Sequence, residues 1–179
     1  MIVVVSSAVV LALSVLGLHP AGFTARTSAW HQLPPNIRTT DDLRPLIEDL
    51  LARSPTLRDQ CARIAIAKRT WVSITLGMAR LPSLARARST ARRYHTGLLV
   101  VDVEIPPASQ DFAELLAHEL EHVTEFIDNV DFKRLARIRN AGIVQCGNDG
   151  SFETDRAKKA GRTVKFEVEA PPARVNVHP

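Results

Sequence analysis

The sequence predicts an α+β domain, with a small antiparallel sheet packed against helices. Three observations predict it. Apolar residues recur at helical spacing through residues 43–65. Residues 71–105 then hold β-branched and alternating stretches broken by turn residues. Helical spacing returns from Phe112 onward. Helices and strands segregated in this way favour helices laid on an antiparallel sheet over alternating βαβ units. At 179 residues and 45% apolar content, one folded domain is the expected size class.

The chain opens on Ile2–Leu18, which is almost wholly apolar and ends at His19-Pro20, with small residues following to Ala29. That length suits the apolar region of a signal peptide, or a membrane anchor at the short end of spanning length. Residues 1–29 are therefore expected to direct export or membrane association, with Thr27-Ser28-Ala29 as the cleavage site; a buried N-terminal element is the alternative. Residues 30–40 read as a linker, because Pro34-Pro35 blocks regular structure.

The domain proper is expected over 41–170. Asp41 or Asp42 caps a first helix running to about Arg53, with Leu43, Leu46, Ile47, Leu50 and Leu51 at helical spacing. Ser54-Pro55 starts a second helix, serine capping and proline in the first turn. That helix turns Leu57, Cys61, Ile64 and Ala65 inward and ends near Arg69. Trp71–Leu76 reads as a strand stopped by Gly77, and Leu84–Tyr94 with Leu98–Ile105 as a hairpin turning at His95-Thr96-Gly97. Pro106-Pro107 ends the sheet, and Ser109 or Asp111 opens a helix to about Ile127. Val130–Ile138 suggests a short helix and Gly142–Gly150 a loop. Ser151 then caps a last helix through about Glu167, with Gly161 its weak point. Residues 171–179 form a tail after Pro171-Pro172.

The formal net charge of +4 falls to +3 when residues 1–29, with their single charge on Arg26, are set aside. Arg80, Arg86, Arg88, Arg92 and Arg93 concentrate the excess, a pattern that can mark nucleic-acid binding. Three of them alternate with Ala85, Ala87, Ser89 and Ala91, as on the wet face of a strand. A solvated strand face is the expected role, and nucleic acid is not an expected partner. Cys61 and Cys146 stand in no metal-binding spacing, and in an exported protein an even pair is expected to form one disulfide.

One motif carries specific chemistry. Residues 118–122 read His118-Glu119-Leu120-Glu121-His122, an H-E-x-x-H pattern within the predicted helix. Histidines four apart lie one above the other, so both can reach one metal ion, and the adjacent glutamate lies close enough to polarise a metal-bound water. On a helical projection Phe112, Leu116, Leu120, Val123 and Ile127 share an arc roughly 80° wide. Glu114, Glu121, Glu125 and Asp128 fall opposite and read as a solvated face. His118 and His122 lie on the flank, and Glu119 falls toward Leu115 and Phe126. A carboxylate aimed at apolar neighbours needs a partner, and water at a metal is one.

On these five residues the chain resembles the zincin metallopeptidases. It is similar more broadly, over about Leu57–Val168, to short gluzincin-like proteins, with strands before the motif helix and an acidic helix after it. The resemblance implies Zn2+ held by His118 and His122, Glu119 as general base, and a third ligand from the following helix. Glu153 is the expected third ligand. Asp155, two residues on where that family places an aspartate four beyond its glutamate, is a rival for the ligand or its support. Glu125 lies about 10 Å along the helix from His118 and is expected to support the site or face solvent. The implied function is zinc-dependent hydrolysis of a peptide or protein substrate, bound along the edge of the preceding sheet. The alternatives are an inactive zinc-binding envelope protein and a basic interaction module.

Overall fold

The computed structural model describes residues 32–77, 87–107, 109–146 and 150–170. In chain order these form β1 (Ile37–Thr39), α1 (Arg44–Arg53), α2 (Pro55–Ile66), β2 (Thr70–Leu76), β3 (Arg88–Arg93) and β4 (Leu99–Ile105). The motif helix α3 (Phe112–Ile127), α4 (Phe132–Leu135), β5 (Ile143–Cys146), β6 (Ser151–Thr154) and α5 (Asp155–Glu169) follow. The α+β class holds. The segment read as a linker contributes β1, and Leu33 beside it is buried. The apolar segment 2–18 and the tail lie outside the described residues, among which no helix is long and apolar enough to cross a membrane.

The main sheet is mixed, which corrects the expected antiparallel arrangement. Its order is β1-β2-β4-β3, with β1–β2 and β2–β4 parallel and β3–β4 antiparallel. The hairpin itself forms as predicted, with Gly97 at φ +79, a conformation that favours glycine. Its second arm, not its first, lies beside β2. The reason lies in the side chains. Leu99, Val101, Val103 and Ile105 of β4 are all buried and need a covered central position, whereas β3 exposes Arg88, Arg92 and Arg93 and suits an edge. Across the wet face Arg88 pairs with Glu104 at 2.9 Å, and Arg92 pairs with Asp102. Arg88 and Arg92 thus serve a solvated strand face, as their alternation predicts, while Arg93 projects from the other side of β3 and donates to the Phe126 carbonyl at 2.7 Å; Arg80 and Arg86 lie outside the described residues.

Helices α2, α3 and α5 pack together on the other face. Ser54 opens α2 by accepting the Leu57 amide at 3.0 Å, as its position before Pro55 predicts. Glu167, near the end of α5, accepts from the Thr56 amide at 3.2 Å and the Thr56 hydroxyl at 2.7 Å, so an acidic side chain sits at the N-terminus of α2. The expected disulfide does not form. Cys61 is turned into the core, where burial pushes its thiol up to about 12, while Cys146 stands exposed on β5.

The acidic side of α3 is not a solvated face, because α5 lies along it. Glu121 accepts from Arg156 at 2.6 Å and from Gln60 at 2.9 Å, and Glu114 pairs with Lys165 at 3.2 Å. Glu125 is 1% exposed. Only Asp128 of the four is open to solvent, and it pairs with Arg63 at 2.9 Å. Gly161 permits this approach: a Cβ there would stand 2.8 Å from the Glu114 carbonyl oxygen and 3.4 Å from the His118 Cβ. Gly161→Ala gains about 1 kcal/mol of helix propensity. It costs about 1–3 kcal/mol in overpacking against backbone that cannot yield. The expected net result is a lower melting temperature, read by thermal denaturation.

Candidate metal centre

Helix α3 carries His118 and His122 one turn apart, with ring centroids separated by 5.0 Å. Glu153 comes to them from β6. One carboxylate oxygen lies 3.2 Å from His118 Nε2 and 3.9 Å from His122 Nε2. One donor atom from each of the three residues lies within 4.8 Å of the others. Two imidazoles and one carboxylate, convergent and partly shielded, form a donor set that fits a divalent metal ion such as Zn2+.

The chain around Glu153 explains its placement. The stretch expected to be a loop and helix start is instead the β5–β6 hairpin, in which Val144 pairs with Glu153. Phe152 stacks on Phe132 at 5.7 Å, and Phe132 in turn packs edge-on to His122 at 6.5 Å. On the other side of Glu153, Thr154 caps α5 by accepting the Ala157 amide at 3.0 Å. The cap expected at Ser151 is thus found three residues later, and the Ser151 hydroxyl donates to the Cys146 carbonyl at 2.8 Å within the hairpin. Glu153 therefore sits between an aromatic clamp and a helix cap.

Glu125 supports the second histidine. One of its oxygens lies 2.8 Å from His122 Nδ1, and the other accepts from the Thr154 hydroxyl at 2.8 Å. A carboxylate at Nδ1 favours the tautomer with the proton on that nitrogen, leaving the Nε2 lone pair directed at Glu153. Thr154 thus joins the cap of α5 to the carboxylate that orients His122. Asp155 takes no part: its side chain is 79% exposed.

Glu119 is 4% exposed and hydrogen-bonds the Ser89 hydroxyl of β3. Burial raises its pKa, against the lowering effects of His122, His118 and that hydrogen bond. Burial would lower the pKa of His118, but the hydrogen bond to Glu153 and the charges of Glu119, Glu153 and Glu125 outweigh it, and the net shift is upward. The same contact works in reverse on Glu153: burial pushes it up, yet His118 and His122 bring it below its ordinary value.

These shifts set a pH dependence. The folded pKa of His118 lies above its ordinary 6.5, so in metal-free protein its stabilising contribution is complete below 6.5 and lost as pH rises through the raised value. A metal ion requires neutral imidazole and has the opposite preference. The melting temperature of metal-free protein is therefore expected to fall across that window, while the gap between zinc-loaded and metal-free protein widens. Calorimetry at stepped pH checks this; parallel curves would contradict it.

The three residues that the motif nominates, His118, Glu119 and His122, and Glu153, which the resemblance adds, meet in one place. Sequence reasoning missed Thr154, Ser89 and Phe132, and left the role of Glu125 open. A glutamate three residues after His122 on a helix was the available signal for Glu125. No protein-family model, curated protein or solved structure matches this chain.

Proposed function

We propose that the chain is a zinc-dependent peptidase of the zincin type. The observation that carries this reading is the convergence of His118, His122 and Glu153 within 4.8 Å beside the buried carboxylate of Glu119. His118 and His122 through Nε2, and Glu153 through one oxygen, would hold the metal. Bound Zn2+ would supply Lewis acidity, lowering the pKa of water and polarising a carbonyl.

The remaining work falls to the side chains. Glu119, with its pKa raised by burial, takes the proton from the attacking water and returns it to the departing amine. The Ser89 hydroxyl holds that carboxylate in place. Glu125 fixes His122, and Thr154 fixes Glu125. Among the described residues β3 pairs only with β4, so its other edge offers free backbone groups to an extended peptide. Residues 1–29 would direct export or anchoring, placing the substrate outside the cytoplasm.

The test is hydrolysis of a peptide mixture by zinc-loaded protein, read by mass spectrometry with Glu119→Gln as control. New termini absent from the control support the reading. Equal cleavage by both rejects Glu119 as base, and zinc binding without any cleavage favours the inactive zinc-binding alternative.

A further inference from the structure

A cleft lies between β3 and the end of α3, one aromatic ring away from His122. Ser89, Ala91 and Arg93 project from one side of that strand toward α3: Ser89 meets Glu119, Ala91 packs on the core, and Arg93 donates to the Phe126 carbonyl at 2.7 Å. Beyond Ser89 the space between β3 and the end of α3 opens into a cleft of about 340 Å³, floored by Leu99 and walled by Ala91, Phe126 and Phe132. Arg93 and Asn129 supply its polar rim. Phe132 also packs against His122, and is the ring that stands between the cleft and that side chain.

Arg93 differs from its neighbours. Arg88 and Arg92 each pair with a carboxylate across the sheet, whereas Arg93 meets no carboxylate among the described residues and spends one hydrogen bond on a backbone carbonyl. An exposed guanidinium at the end of an apolar cleft, paired with no carboxylate among the described residues, is suited to an anionic group that arrives with the substrate.

We propose that this cleft selects substrate peptides carrying an apolar side chain followed two residues later by an acidic one, read by Arg93. The inference rests on the peptidase reading above. Strand periodicity gives the spacing. A peptide paired to the free edge of β3 turns alternate side chains to the α3 side, so the residue facing Glu119 and Ser89 is followed two positions on by one facing Ala91 and Phe132. The next side chain on that face meets Arg93. The subsite at Ala91 and Phe132 is apolar and the one at Arg93 cationic, so the peptide side chains that fit them are apolar and acidic in turn.

Sequencing the products that zinc-loaded protein releases from a proteome-derived peptide mixture tests this, with positions aligned on the cleaved bond. Acidic residues are expected to exceed lysine about two- to fivefold at one position, the range that an exposed charge pair gives, two residues from an apolar-enriched one. Arg93→Glu should reverse the charge preference and Arg93→Gln should erase it, both with a melting temperature lowered by loss of the bond to the Phe126 carbonyl. Fluorescence anisotropy of labelled peptides on the Glu119→Gln variant should give the same ranking without turnover. Cleavage with no charge preference, or a preference that survives Arg93→Glu, overturns the inference and leaves the peptidase reading standing. Preference for a free C-terminal carboxylate over an acidic side chain overturns it also. A protein that neither cleaves nor binds any peptide removes both.

Discussion

Replacement of Glu119 by glutamine is expected to leave the fold and bound zinc intact while lowering peptide hydrolysis by about 10²–10⁴-fold, the usual contribution of a positioned general base. The amide keeps the size of the carboxylate and can still meet the Ser89 hydroxyl, so packing at this 4% exposed position is preserved. What it loses is the ability to accept a proton. Removing a buried carboxylate also relieves a desolvation cost, so the melting temperature of the variant should equal or exceed that of the parent. Steady-state cleavage of one defined peptide, beside a thermal melt and a zinc determination, separates these effects. Loss of activity together with zinc would assign Glu119 to metal retention instead; parental activity would remove it from the chemistry.

His118→Ala, His122→Ala and Glu153→Ala should each abolish stoichiometric zinc binding, because two remaining protein donors hold a divalent ion weakly. The three are expected to behave alike, although two lie on α3 and one on β6. Asp155→Ala should keep the metal, since that side chain is 79% exposed. Glu125→Ala should fall between, weakening zinc binding by about 10–100-fold, as loss of a carboxylate that orients a ligand imidazole does. Competition with a chromophoric chelator ranks all five. Zinc retained at one equivalent in either histidine variant would defeat the ligand assignment. Zinc retained in Glu153→Ala but lost in Asp155→Ala would move the third ligand and leave the two histidines in place.

The helices and the hairpin were legible in the sequence because their signals are local. Ser54-Pro55, the periodic leucines of α1 and the glycine at position 97 each act within a few residues. The sheet order was not legible, because it depends on which strand has both faces covered. Reading β4 as the most evenly apolar strand and β3 as the arginine-bearing one would have placed them correctly. The β5–β6 hairpin was hidden by its brevity: four residues a side, joined across a turn-rich stretch, look like a loop in sequence.

The motif residues were legible because their spacing alone puts them on one side of a helix. The burial of Glu125 was not, since a helical projection shows polarity and cannot show what docks on the polar side. The signal lay in another element. Ala157, Ala160, Gly161 and Val164 give α5 a face of mostly small residues, which lets it approach α3 closely. That approach turns a row of carboxylates into partners for Arg156, Lys165, Thr154 and His122. Glu153 was named from the resemblance as lying on the following helix; it does lie beside the two histidines, but a strand delivers it, with the helix cap one residue behind.

The most direct measurement is the metal content of the purified protein, by inductively coupled plasma mass spectrometry after equilibration with zinc and removal of the excess. Zinc at close to one equivalent per chain, lost in His118→Ala and His122→Ala, is the result predicted here. A chain that folds normally and retains no metal above the level of those variants would contradict the account at its centre.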